Sequence, residues 1–581
     1  MTRCLKRHAI PILGIVGMVL AMHWPLVLNL DTHFVGRPFE DAVAVIWEFW
    51  WADQAVTERG VQVLYTPDVY YPHGYHVASD AHPIWWLLVF APLTHGWGAL
   101  LAYNLALLST FVTGGVGVYL LVATLTGRRL AGMVAAPVYV FAPIVTVRLG
   151  GHLNVLLGMQ WLPWLALCAH QALTRDGRAG WMYSVLSGLC YALAATGSWY
   201  FVFIGFVPLC SAFLFAAMRP WKTQWLKLAV ALMVCAFLVA PFAVLTFKAN
   251  RAMFGGNLAF ALSESDTWSA SVDRLLAPNP LNPGWDVLWP HRPPVRGEQD
   301  AVSLGYAASL LAVLGAWKSR DAFKRAFVAL FFVSLILAMG TTCHWQGQRV
   351  ALNLSAPWSG VYDGLTGWLT APVTDAPAIP LPGLLLARSV PFYAMMRGWC
   401  RFMIPAMLGL AVLAGYGAAL MQSRLGYGRW SMLLVVGVVF AEGIVTPFAE
   451  FTSVATARRP VDEWLARQPP GTAIIEYPWP AMNKTALYGQ TIHGQPVVNG
   501  QAPHTPQYLQ PFPQVRRTWP DAAAVQVLRD WDVRYILLTV PDLQGFSGGP
   551  LPQMMTWPDV RWVAAFPMAG GWANVHVFEI H

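Results

Sequence analysis

The chain has 581 residues, 56% of them hydrophobic and only 11% charged, against about a quarter charged in an average soluble domain. That composition excludes an ordinary soluble enzyme, and several apolar runs reach the roughly 20 residues that cross a 30 Å hydrocarbon core. The net charge of +8 does not mark a nucleic-acid partner, because the basic residues are spread over short turns between apolar runs and form no single basic face.

The first apolar run, 9–30, follows Arg3, Lys6 and Arg7. It is longer than a signal-peptide core and lacks a small-x-small cleavage site, so it reads as a retained span. Ten further spans are expected near 98–127, 130–147, 153–173, 182–198, 200–218, 224–247, 301–317, 326–342, 402–421 and 430–448. Two shorter apolar stretches, 83–92 and 381–392, read as interfacial or re-entrant helices or as one extra pair of crossings. The expectation is a polytopic α-helical membrane protein of about 11–13 transmembrane helices.

Charge placement orients these spans. The turns on one side, with the N-terminus, hold 15 basic residues against two acids, Asp176 and Asp321. The opposite side opens with a first loop, 31–82, that carries eight acids and only Arg37 and Arg59 as bases. By the positive-inside rule the N-terminus is cytoplasmic, and eleven crossings leave the C-terminus outside. Two more large outer loops follow, about 248–300 and 343–400, and loops of that length often line a functional cavity.

A tail from 453 to 581 completes a two-part organisation with the membrane core 1–452. A proline start favours a helix at 461–467, followed by a strand at 472–477, a helix at 521–531, and strands at 533–540, 561–567 and 573–580. The tail reads as a small extracytoplasmic α/β domain. None of the seven cysteines lies beyond Cys400, and none forms a CxxC pair, so neither a disulfide framework nor a thiolate metal site is expected there. The polar pieces around His493-Gly494, Asn499-Gly500 and His504 read as turns. No nucleophile elbow, phosphate loop, dinucleotide loop or HExxH motif is present.

Candidate chemistry lies in the outer segments. The stretch 41–51 reads as a helix that places Asp41 and Glu48 on one face, flanked by Trp47, Trp50 and Trp51. The tryptophans fit anchoring at the membrane boundary. Asp41 fits a carboxylate that binds metal, activates a hydroxyl or holds a cation. Asp80 and His82 either join it or simply shape a turn. Arg148, His152 and Asn154 lie at the outer end of a span and suit an oxygen-rich or phosphate group. Pro163 is expected to kink the following helix. Glu298 and Asp300 need partners or solvent so close to the membrane. Arg388, Arg397 and Arg401 lie on the outer side, where they form a phosphate clamp or neutralise the acidic first loop.

Together these landmarks resemble the GT-C glycosyltransferase superfamily, in particular a bacterial YfhO-like branch. The resemblance rests on Asp41 with WEFWW, YYPHG at 70–74, GHLN at 151–154 with the following WLPW, SASVDRLLAP at 269–278, Arg401 after RGWC, and HGQPVVNGQAP from His493. It implies a GT-C-like core in the bacterial inner membrane and a hexosyl- or pentosyltransferase. Such an enzyme takes a sugar from a polyprenyl-phosphate donor and gives it to an outer glycan, lipid or protein. On that reading Asp41 and His152 are catalytic. Arg148, Asn154, Glu298, Arg397, Arg401, Asp80 and His82 bind substrate, and Glu40 with Asp41 is the candidate site for a divalent cation, Mg or Mn. The rival readings are a transporter or flippase, which calls for ionisable residues deep in spans and an internal repeat, and a non-catalytic envelope-assembly protein.

Overall fold

The computed structural model describes the chain except residues 1, 61–62, 80–83, 208–221, 257–258, 289–294, 320, 322, 372, 425, 427, 480, 501–503, 542–550, 569–570 and 572. Asp80 and His82 therefore lie outside the described residues, as does most of the expected span 200–218.

Helices occupy the other expected spans: Thr2–Met22, Ala99–Thr126, Arg129–Val140, Leu153–Met159 with Leu162–Thr174, Gly177–Gly197, Lys222–Phe254, Tyr306–Lys318, Lys324–Ala338, Met403–Arg424 and Arg429–Gly443. Among the described residues, three are long and apolar enough on their own to cross a membrane: Ala99–Thr126, Gln224–Phe254 and Trp399–Ser423. A fourth candidate is the pair Arg129–Val140 and Pro143–Gly150, bent by 50°. The helix at 153–174 breaks at Gln160–Trp161, just before Pro163, whose ring cannot continue the hydrogen-bond ladder. The short stretches give Ile84–Trp97 and Pro382–Ser389, both too short to span.

Burial ranks the long helices. The best apolar window of Trp399–Ser423 is 94% buried and that of Gln224–Phe254 only 22%, so the former is the axis of the bundle and the latter its rim. Small residues let the axis pack closely. A methyl group at Gly417 would collide with Leu311 O, and one at Gly315 with Leu413 O, so Tyr306–Lys318 touches the axis backbone to backbone.

The tail forms a four-stranded sheet. Ala473–Tyr477 runs parallel to Val533–Pro541, which pairs antiparallel with Ala573–Ile580, and that strand in turn with the edge strand Val560–Pro567. Helices Pro460–Leu465 and Ala522–Asp530 belong to the same unit, the latter capped by Asp521, whose side chain accepts from Ala524 N. One helix was not expected: Asn483–His493, closed by Gly494 in the left-handed conformation at φ 64°.

The tail does not bury its core alone. Its Ile474, Ile475, Leu537 and Val577 share a hydrophobic cluster with Trp47, Trp51, Val69 and Tyr75 of the first loop and Met253 and Phe254 of the rim helix. Strand Phe451–Ser453 also pairs antiparallel with His33–Val35. This corrects the membrane-anchor reading of two tryptophans. Trp47 and Trp51 are fully buried and stacked 6.3 Å apart. Trp47 Nε1 donates to Gln490 Oε1 at 2.7 Å and Trp51 Nε1 to Val63 O at 3.1 Å. They anchor the tail, not a headgroup layer.

Candidate functional site

Asp41 opens the first-loop helix Asp41–Thr57, with Glu40 as its N-cap residue. A carboxylate in the first turn suits the positive end of the helix dipole. The segment Gly151-His152 presses directly on it. Gly151 has φ 133°, and a Cβ there would collide with Ala42 N and Asp41 Cβ. Glycine is thus what lets His152 reach the carboxylate, its Nε2 lying 3.5 Å from Asp41 Oδ2. On the other carboxylate oxygen, Oδ1, sits the ammonium of Lys484, from the tail helix Asn483–His493.

Below this group lies a second one. Glu298 pairs with both Arg148 and Arg401. Arg401 Nε donates to Glu298 Oε1 at 3.1 Å, and its Nη2 lies 3.0 Å from the same oxygen. The Arg401 guanidinium also stacks 4.0 Å from the centre of the Tyr200 ring, a cation–π contact. The two groups differ in access. Side chains of Asp41, His152 and Lys484 are 40%, 36% and 35% exposed, whereas those of Arg148, Glu298 and Arg401 are 0%, 5% and 10% exposed. An open layer sits on a sealed floor.

Electrostatics assign a charge to each member. Enclosure works against ionisation of Asp41, but His152, Lys484 and Arg401 outweigh it and hold the carboxyl below the usual range. Burial likewise opposes the Glu298 charge, and Arg148 and Arg401 overcome it, so Glu298 stays ionised far into acid. Burial first, then the charge of Arg148, lowers His152 to about 4, so its imidazole is neutral at physiological pH. Three cations therefore face two anions. Within the floor, Nε and Nη1 of Arg148 are buried and have no hydrogen-bond partner among the described residues. Buried donors on a cation are costly unless an acceptor meets them, and an anion is the natural acceptor.

The sequence-derived candidates divide accordingly. Asp41, Arg148, His152, Glu298 and Arg401 come together, although the first and last are 360 positions apart in the chain. Glu298 acts on the arginines, a role different from the substrate contact expected of it. Arg397 binds Glu264 at 2.8 Å and lies over Phe260 and Trp268. Arg388 donates to Trp368 O at 2.9 Å and faces that indole, so the three outer arginines do not form one clamp. Asn154 Oδ1 accepts from Val155 N at 2.9 Å, within the first turn of its own helix. Asp266, Asp273 and Asp300 of the second loop are structural: Asp266 accepts from Thr341, Thr342 and Arg349, Asp273 from Ser271 and Gln346 N, and Asp300 from Arg296.

The two carboxylates of the divalent-cation site expected at Glu40 and Asp41 have different partners. Glu40 turns to Arg37 at 3.3 Å, while both Asp41 oxygens face nitrogen groups. Among the described residues, no three His, Cys, Asp or Glu side chains gather as a metal-binding set. Sequence reading missed Lys484 and Tyr200. Lys484 carried no local signal of its own, but Gly494 marks the end of the helix that delivers it.

No protein-family model matches the chain, and no curated protein matches it in sequence. Solved structures do match in shape. Arabinofuranosyltransferase AftD from mycobacteria aligns with a TM-score of 0.53 at 16% identity, over 99% of this chain and 40% of that one. ArnT from Cupriavidus metallidurans in the apo state aligns with a TM-score of 0.50 at 13% identity, over 97% of both chains. The same ArnT, solved bound to undecaprenyl phosphate, gives a TM-score of 0.48 at 13% identity, again over 97% of both. What the chain shares with the arabinofuranosyltransferase and with apo ArnT is the fold. It spans about 40% of the length of the arabinofuranosyltransferase.

Proposed function

We propose that the chain is a membrane glycosyltransferase of the bacterial inner membrane, of the YfhO-like branch. It moves a hexosyl or pentosyl unit from a polyprenyl-phosphate donor to an extracytoplasmic glycan, lipid or protein. The observation that carries this reading is one accessible, ionised carboxylate, Asp41, within electrostatic reach of a buried arginine pair, Arg148 and Arg401, of which Arg148 has unmet donors among the described residues.

In the reaction, the acceptor hydroxyl approaches Asp41, which takes its proton as the acceptor oxygen bonds to the anomeric carbon. The bond from that carbon to the phosphate oxygen breaks, and the electron pair leaves with the polyprenyl phosphate. Arg401 and Arg148 meet the charge that develops on it. Glu298 holds the two guanidinium groups side by side against their mutual repulsion. Neutral His152 orients the carboxylate.

The test is transfer of labelled sugar from a polyprenyl-phosphate donor by the full chain in lipid nanodiscs. Activity in the wild type and its loss in Asp41→Asn support the reading. A folded, inserted Asp41→Asn protein with full activity removes Asp41 as base, and a wild type that moves intact lipid across the bilayer without transfer makes it a flippase.

A further inference from the structure

Resting on the transfer reading above, we propose that Lys484 of the tail is a donor-phosphate-binding residue that pairs with Asp41 until the lipid phosphate arrives and then moves to it, freeing the carboxylate for the acceptor. Three observations carry this. Lys484 contacts Asp41 Oδ1 across 443 positions of chain, and its helix is fixed to the first-loop helix. Gln490, two turns further on, accepts from Trp47 Nε1 at 2.7 Å and donates to Asp68 O at 3.0 Å. The backbone that carries Lys484 is thereby held, while its long side chain, 35% exposed, retains room to turn.

The second observation is charge. Lys484 is what gives the described cluster its surplus positive charge: without it, Arg148 and Arg401 only balance Asp41 and Glu298. An incoming phosphate would then meet a neutral group whose open layer bears a bare carboxylate. With Lys484 present, one negative charge of the phosphate is matched. The third is chemical. A carboxylate held by an ammonium is a poor base, so a base that works only after the donor is seated needs its counter-ion drawn away, and the donor phosphodiester, with one negative charge shared by two terminal oxygens, can do so. The tail is then part of the active site and not an accessory to it.

Amine labelling read by mass spectrometry tests this on the full chain in detergent, with a polyprenyl phosphate as the probe. In Asp41→Asn, Lys484 loses its partner and is expected to label several-fold faster than in the wild type. Adding polyprenyl phosphate should slow it again by a similar factor. Lys484→Met should weaken polyprenyl phosphate binding roughly tenfold, the usual worth of one charge-assisted hydrogen bond, and Lys484→Arg should recover most of that loss. If Asp41→Asn protein binds polyprenyl phosphate but its Lys484 labels at the same rate with and without it, the lysine does not meet the phosphate. The inference then falls and the transfer reading stands. If wild-type protein binds no polyprenyl phosphate, both fall.

Discussion

Asp41 and Glu298 are carboxylates set among the same cations, yet they differ in what surrounds them and so in what their removal does. Asp41 is 40% exposed and its ion pair with Lys484 faces solvent, so its net worth to stability is about 0–1 kcal/mol. Asp41→Asn is expected to leave thermal unfolding nearly unchanged while lowering turnover by roughly 10²- to 10⁴-fold, the usual contribution of a general base. Glu298 is buried between two arginines. Glu298→Gln leaves their charges uncompensated, and about 3–5 kcal/mol of stability should be lost, read as a large fall in Tm. The pH dependence follows from the same surroundings. Both carboxyls are held below their ordinary values, so their contribution to stability is present above the unfolded-state value of about 4 and is lost as pH falls through the folded one. On the proposed mechanism Asp41 acts as the anion, so kcat/KM should stay level from neutral down to about pH 4 and drop only below it. The proposed steps use only side chains of the chain itself, so addition of EDTA should leave the rate unchanged; a rate that vanishes and returns with Mg or Mn would place a metal at Asp41.

At the scale of elements, the tail is held to its helices by a buried charge group. Arg459 donates to Glu476 Oε1 and Oε2, both at 2.7 Å, and to Asp462 Oδ1 at 2.5 Å, with all three side chains buried. Two anions share one cation, and burial raises Glu476 above its usual value despite Arg459. A raised carboxyl pKa means that stability from this group is greatest in acid and declines as pH rises through the folded value. The two obvious variants should therefore differ sharply. Arg459→Met strands two buried carboxylates and should cost about 3–5 kcal/mol, whereas Glu476→Gln leaves a balanced Arg459–Asp462 pair and should cost far less; thermal unfolding at neutral pH separates them. The tail's helix starting at Pro460 and its four strands were legible because proline, alternation and β-branched residues mark them locally. The helix Asn483–His493 was not, since its sequence NKTALYGQTIH carries no strong apolar stripe. Its Gly494 was read as a turn and is a helix end. Trp47 and Trp51 misled for the opposite reason: tryptophan beside a membrane suits a headgroup layer and a protein core equally well, and only the tail 400 residues later decides between them. Of the site, Asp41, Arg148, His152, Glu298 and Arg401 could be named from the sequence, but not that Glu298 pairs with the two arginines.

For the whole molecule, the site imposes a parity condition on the membrane topology. Asp41, His152, Glu298, Arg401 and Lys484 meet in one cluster, so the chain must cross the membrane an even number of times between each successive pair. The spans expected from hydropathy satisfy this at every step: two between Asp41 and His152, four between His152 and Glu298, two between Glu298 and Arg401, and two between Arg401 and Lys484. One span precedes Asp41, which puts the N-terminus on the other side. The basic turns, counted without reference to the site, assign that other side to the cytoplasm. On the expected spans the cluster and the basic turns lead to one expected arrangement, which can be tested. Alkaline phosphatase fused after His581 should be active and green fluorescent protein at the same point dark, while fusions at the N-terminus should show the reverse. An impermeant thiol reagent should label a cysteine placed at Glu463 in intact cells and not one placed at Arg178. If both termini report the cytoplasmic side, the crossing before Asp41 is lost and the first loop with its carboxylate faces the cytoplasm; the cluster could still form, but a donor and acceptor waiting outside would not reach it.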